Sequence, residues 1–147
     1  MTATAKNFFT LQQQDAIKQA IVDAEHNTSG EIRVHIEEKC LSEAMQRAVD
    51  VFAVLKMHKT ELRNGVLIYL AVNDKKFAIL GDAGIHAAVP ENFWDNIKLE
   101  MQDNFKQEKF TEGLCNAIAK AGEQLKKHFP HMRNDVNELK DEVSFGK

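Results

Sequence analysis

Seven consecutive apolar residues, Val66-Leu67-Ile68-Tyr69-Leu70-Ala71-Val72, constrain this chain more than any other feature. The run falls far short of the roughly 20 apolar residues needed to cross a bilayer. Its β-branched and aromatic content suits a strand buried on both faces. Asn64-Gly65 leads into it, and Asn73-Asp74-Lys75-Lys76 separates it from a second β-rich segment, Phe77-Ala78-Ile79-Leu80. Polar turn residues between two such segments predict a hairpin, so these strands are antiparallel. Upstream, Ile32, Val34 and Ile36 alternate with Arg33, His35 and Glu37, the period of a strand with one wet face. Between the first and second strands, Ser42, Met45, Ala48, Val51, Phe52 and Leu55 recur at helical spacing over a length that fits a right-handed crossover between parallel neighbours. The fold class is therefore α/β, with a small mixed sheet.

The remaining segments are helical. Thr10 with Gln13 three residues on forms a capping box ahead of Ile17, Ala20, Ile21 and Ala24. Pro90 suits a first helical turn, followed by the stripe Phe93, Ile97, Met101 and Phe105, with Phe93 expected in the core and Trp94 over the edge. Thr111 is expected to cap the last long helix, which carries Leu114, Ile118, Ala121, Leu125 and Phe129 and is stopped by Pro130. No repeat interrupts this order, so residues 1–130 are expected to form a single domain, with 131–147 a polar tail or short helix. The charged stretch from Lys56 to Arg63 is expected to be mobile.

At 147 residues the chain can bury about two thirds of its unfolded surface without disulfide staples. Nineteen basic residues against 22 acidic ones leave a formal charge of −3, which argues against nucleic acid as a partner. Cys40 and Cys115 are too few for a disulfide framework and are expected to be reduced thiols. Residues 1–6 carry no apolar core of signal-peptide length, so the expected location is the cytoplasm, with no membrane contact and a monomeric state.

Strand direction brings chemistry together. With the first two strands parallel and the third returning, the start of the first, the start of the second and the end of the third share one sheet edge. Three turns meet there, Thr28-Ser29-Gly30-Glu31, Asn64-Gly65 and Gly81-Asp82-Ala83-Gly84. Each combines an oxygen-bearing side chain with a glycine that permits close backbone approach. A hard cation such as calcium wants about six to eight oxygens from such a mixture. Glu31, Asn64 and Asp82 are the candidates, preferred over Glu37, Glu38 and Asp74 at the opposite edge, where Asp74 reads as an exposed turn residue.

These turns, together with Phe77-Ala78-Ile79-Leu80 leading into Gly81-Asp82-Ala83-Gly84-Ile85, and with Gly113-Leu114 later in the chain, resemble the TPM domain family over about residues 10–130. The resemblance implies helices sandwiching a small mixed sheet and a divalent-metal site, often calcium, in loops at one sheet edge. It also extends the candidate ligands to Glu91, where the family commonly has Asp, and His86, where it commonly has Glu. Imidazole suits zinc, copper or nickel better than a hard cation, so His86 broadens the choice of metal: Ca2+ is expected first, with Zn2+ and Mg2+ as alternatives. The implied function is a metal-binding domain with a regulatory or interaction role, leaving a protein partner open. The alternative is a weak metal-dependent phosphatase acting on phosphomonoesters, because the family includes an acid phosphatase; Glu31, Asp82 and Glu91 would then hold the metal, with His86 as base. The residues give phosphatase chemistry little support. Cys40 and Arg47 are one residue too far apart for a Cys-x5-Arg cradle, and no P-loop or His-Glu-x-x-His helix occurs.

Overall fold

The computed structural model describes residues 4–130 and 143–146. Its centre is the apolar run. Strand β2, Gly65–Ala71, is buried at every position because both its edges and both its faces are covered. Strand β1, Glu31–Glu37, pairs with it in parallel, Glu31 opposite Gly65 and Glu37 opposite Ala71. Strand β3, Lys76–Gly81, returns antiparallel on the other side, with Val66 opposite Gly81. A fourth strand, β4, Val143–Phe145, lies parallel to β1 and gives the order β3-β2-β1-β4.

Among the described residues, five α-helices surround the sheet: α1 (Leu11–Glu25), α2 (Ala44–Val54), α3 (Ala83–Ala88), α4 (Phe93–Lys106) and α5 (Phe110–His128). Alternation along the strands sends Ile32, Val34, Ile36, Val66, Ile68, Leu70 and Ile79 to one face. There they meet Ile17 and Ile21 of α1, Ile97 and Met101 of α4, and Leu114, Ile118 and Leu125 of α5. On the other face Leu67, Tyr69, Ala71 and Ala78 meet Ala48, Val51 and Phe52 of α2. This second layer is thinner, since α2 lies over β2 and β3.

Several expectations are corrected by packing. The polar face of β1 is not wet: His35 and Glu37 are buried and satisfied by side chains described below. The turn 81–84 is the end of β3 running into α3, which Asp82 caps. Trp94, not Phe93, is the more buried of the pair, because its ring fills the space over Gly81. Helix α5 begins at Phe110 with Lys109 at its N-cap and no side-chain cap, so Thr111 lies inside the first turn. The 56–63 connection is anchored by Met57, fully buried in a short 3-10 turn over Met57–Lys59. Of the expected tail, 131–142 and 147 lie outside the described residues, and Val143–Phe145 is a strand where a polar tail or helix was expected. Three residues are too few to show a period in sequence.

The capping box of α1 is present as read. Thr10 Oγ1 accepts from Gln13 N at 3.0 Å and Gln13 Oε1 accepts from Thr10 N at 2.9 Å. Thr10→Ala is expected to lower stability by about 1 kcal/mol, measured as a shift of the urea unfolding midpoint at unchanged slope.

Candidate functional site

The register places the three turns at one edge. Glu31 N donates to Asn64 O at 3.4 Å and Asp82 N to Gly65 O at 2.9 Å, so Glu31, Gly65 and Asp82 lie in a row across β1, β2 and β3. Two strand spacings separate the outer pair, about 10 Å between their Cα atoms. Glu31 (3% exposed), Asn64 (1%) and Asp82 (7%) are all buried.

Asp82 is held from two sides. Its Oδ1 accepts from Ala83 N at 2.7 Å, capping α3. Arg63 grips both oxygens, Nε to Oδ2 at 2.7 Å and Nη2 to Oδ1 at 2.8 Å. The Arg63 backbone is left-handed, with φ 52°, and its carbonyl accepts from Gly84 N at 2.8 Å. That approach requires glycine, because a Cβ at Gly84 would lie 2.1 Å from Leu62 O. Burial alone would raise the Asp82 pKa, but the Arg63 and Ala83 hydrogen bonds and the Arg63 charge hold it below the ordinary value. Beside this pair a hollow of about 280 Å³ is walled by Phe52, Ala53, Leu80 and His58.

Asn64 shows a different balance. Its Nδ2 donates to Ser29 Oγ at 3.3 Å and its N to Thr60 Oγ1 at 3.3 Å, while Oδ1 is buried without a hydrogen-bond donor. The other two candidates stand outside. His86 is exposed one turn along α3 from Asp82, and Glu91 is exposed after Pro90. Among the described residues, no three Asp, Glu, His or Cys side chains are close enough to enclose an ion by themselves. Topology thus gathers Glu31, Asn64 and Asp82 at one edge and leaves His86 and Glu91 on the surface beside it.

At the other end of the sheet lies a buried polar network that the sequence reading passed over. Glu37 Oε2 accepts from Tyr69 Oη at 2.6 Å and from Arg47 Nε at 3.0 Å. Arg47 Nη2 pairs with Oε1, and His35 Nε2 lies 3.2 Å from the same oxygen. His35 Nδ1 is 2.7 Å from Ser144 Oγ of β4. Burial would raise the Glu37 pKa, yet hydrogen bonds from Arg47, Tyr69 and His35 bring it down to about 2. Burial, outweighing Glu37, lowers that of His35, and burial with the Glu37 bond raises that of Tyr69. The signal was present: a tyrosine inside the apolar run, with a buried hydroxyl that needs a partner, two strand positions from which a carboxylate could reach it. Glu38 and Asp74 do not join. Asp74 is exposed and accepts from Cys40 N at 2.7 Å, as its turn reading implied.

Residues 3–124 match the TPM domain. The chain belongs to the TPM domain family. It is 49% identical to BA42 protein from the psychrophilic bacterium Bizionia argentinensis, whose NMR structure it superposes on with a TM-score of 0.87, covering 96% of this chain and 97% of that one. Two more distant structures share the fold. The N-terminal domain of a protein from P. gingivalis is 14% identical, with TM-score 0.70 and coverage of 86% and 84%. The N-terminal domain of cg2496 protein from Corynebacterium glutamicum is 12% identical, with TM-score 0.62 and coverage of 80% and 74%. No curated protein matches. Among the described residues of this TPM domain, no helix is long and apolar enough to cross a membrane.

The Glu37 network is expected to make folding acid-sensitive. Its folded pKa of about 2 lies below the ordinary 4.5, so its contribution is complete above pH 4.5 and is lost as pH falls toward 2. His35 acts in the same direction, since its lowered pKa means the unfolded chain binds the proton more readily below its ordinary 6.5. Arg47→Met is expected to cost roughly 2 kcal/mol, less than for a fully buried pair because Arg47 is partly exposed. Without Arg47 the Glu37 pKa rises, so the acid unfolding midpoint should move to higher pH, followed by circular dichroism. Gly84→Ala is expected to destabilise by about 2 kcal/mol or more through the backbone clash, read from thermal melts.

Proposed function

We propose that this TPM domain takes a divalent cation, calcium first, at the edge where β1 and β2 begin and β3 ends, and that it serves as a regulatory or interaction module rather than a catalyst. The observation that carries the reading is the Asn64 Oδ1 atom, buried and without a donor at the same sheet edge that buries the carboxylates of Glu31 and Asp82. An orphaned carbonyl oxygen costs stability unless something positive approaches it. The donor set of carboxylate and amide oxygens fits a hard cation. Zn2+ is the weaker fit, because the buried candidate ligand atoms of Glu31, Asn64 and Asp82 are all oxygens and the imidazole of His86 is exposed on α3.

Arg63 explains how the edge stays stable without a cation. Its guanidinium supplies the counter-charge that Asp82 needs, and the half-exposed side chain (52%) can leave without being pulled from the interior. Cation and guanidinium would compete for the same two oxygens. A bound cation would supply charge neutralisation; Glu31, Asn64 and Asp82 would orient it, with Glu91 and His86 as the nearby surface groups able to extend the set. Such an exchange changes the exposed surface by freeing an arginine, which suits a role in recruiting a partner.

The test is a titration of calcium, magnesium and zinc followed by amide shifts, with a phosphomonoester assay in each metal. Shifts clustered at Glu31, Asn64 and Asp82 without turnover are expected. Arg63→Ala should tighten calcium binding by about tenfold, and Asp82→Asn should abolish it. Absence of saturable shifts sinks the cation reading, and turnover lost in Asp82→Asn would favour the phosphatase alternative.

A further inference from the structure

At the opposite end of β2 from the cation edge, a hollow of about 570 Å³ opens between the β2–β3 hairpin and the turn joining α4 to α5. Its floor is Leu70, Phe77, Phe105 and Phe110. The rings are mutually braced, Phe77 edge-on to Phe105 at 5.1 Å and Phe105 stacked on Phe110 at 5.2 Å. All three phenylalanines are only half-buried, so the floor presents apolar surface that an occupant could remove from water. The volume lies in the range of small-molecule sites, and so does the mixture of aromatic lining with few polar groups.

The rim selects the kind of occupant. Lys75 stands on the hairpin side, and Lys106 and Glu108 on the helix side. Among the described residues neither lysine has a carboxylate within ion-pair distance, so both ammonium groups remain available. Lys75 and Glu108 also hold left-handed backbone, φ 54° and 61°, where glycine or asparagine is the less strained choice. The turn at Glu108 is fixed by Lys109 N donating to Asn104 O at 2.8 Å and Glu108 N to Phe105 O at 3.0 Å. Two turns that favour glycine thus carry charged side chains at the mouth of an apolar hollow.

We propose that this hollow binds a small anionic amphiphile, a free medium-chain carboxylate, with its chain on the phenylalanine floor and its head between Lys75 and Lys106. Glu108 faces the same mouth and disfavours ligands of higher negative charge. The site shares no residue with the Glu31–Asp82 edge, so the two can fail independently.

The full chain, labelled with nitrogen-15, is titrated with sodium decanoate below its micelle concentration and, in parallel, with decylammonium chloride. Decanoate is expected to give saturable shifts at Lys75, Phe77, Lys106 and Phe110, and decylammonium to bind at least about tenfold more weakly. The double variant Lys75→Gln with Lys106→Gln changes only exposed heads; it should keep its circular dichroism and urea midpoint and lose about tenfold in decanoate affinity. Glu108→Gln should tighten binding. Equal affinity for both amphiphiles, an unchanged affinity in the double variant, or shifts centred elsewhere would each overturn the assignment. Co-sedimentation with phosphatidylglycerol vesicles in the absence of any response to monomeric decanoate would overturn it in favour of a membrane surface.

Discussion

Everything in this domain depends on the complete burial of β2. Seven residues without solvent contact must have every backbone N–H and C=O paired, because each unpaired group would cost about as much as a lost hydrogen bond. Only a strand on each side can supply those partners, and β1 and β3 do so along its whole length. The side chains then require cover on both faces. One face receives α1, α4, α5 and Ile85 of α3 around a large apolar core; the other receives the short α2. The difference in cover decides where polar chemistry can sit. On the thinly covered face β1 carries Arg33, His35 and Glu37, beyond the reach of α2's apolar stripe.

The same central strand fixes the geometry of its two ends. Where it begins, the chain arrives through a connection that folds back over α3, with Arg63 in left-handed backbone and its carbonyl against Gly84. Close backbone contact there sets the position of Arg63, and the guanidinium in turn reaches Asp82. An ion pair between an exposed arginine and a buried aspartate therefore rests on a glycine, not on side-chain packing. Where β2 ends, the hairpin and the α4–α5 turn approach without filling the space between them, leaving the phenylalanine-floored hollow.

Much of this was legible in the sequence. The apolar run, the hairpin turn and the alternation of β1 give three strands and their directions, and those directions alone put Glu31, Asn64 and Asp82 at one edge. Local capping was readable at Thr10 because both partners lie within three residues. What escaped was set by contacts distant in sequence. The strand Val143–Phe145 is recognisable only beside β1. Trp94 exceeds Phe93 in burial because of a space over Gly81, and the polar side of β1 reads as wet unless Tyr69 and Arg47 are known to face it. Arg63 was hidden for the same reason: its partner lies nineteen residues on, and nothing local marks the connection as anchored.

The two acidic ends of the sheet differ in hydrogen-bond supply, and this difference separates a structural carboxylate from a site. Glu37 receives Tyr69, both donor nitrogens of Arg47 and His35. A carboxylate so surrounded has little capacity left for a cation, and four donors from three residues would have to be displaced together to admit one. Removing a member instead exposes a buried charge, which is why such networks hold a conformation more than they bind ligands. Asp82 is poorer in partners, with one backbone amide and one arginine whose side chain is half in water. At the same edge, Asn64 offers an oxygen with no donor. Both ends bury carboxylate; the end with the unsatisfied acceptor and the removable counter-ion is the one where a cation would gain more than it disrupts.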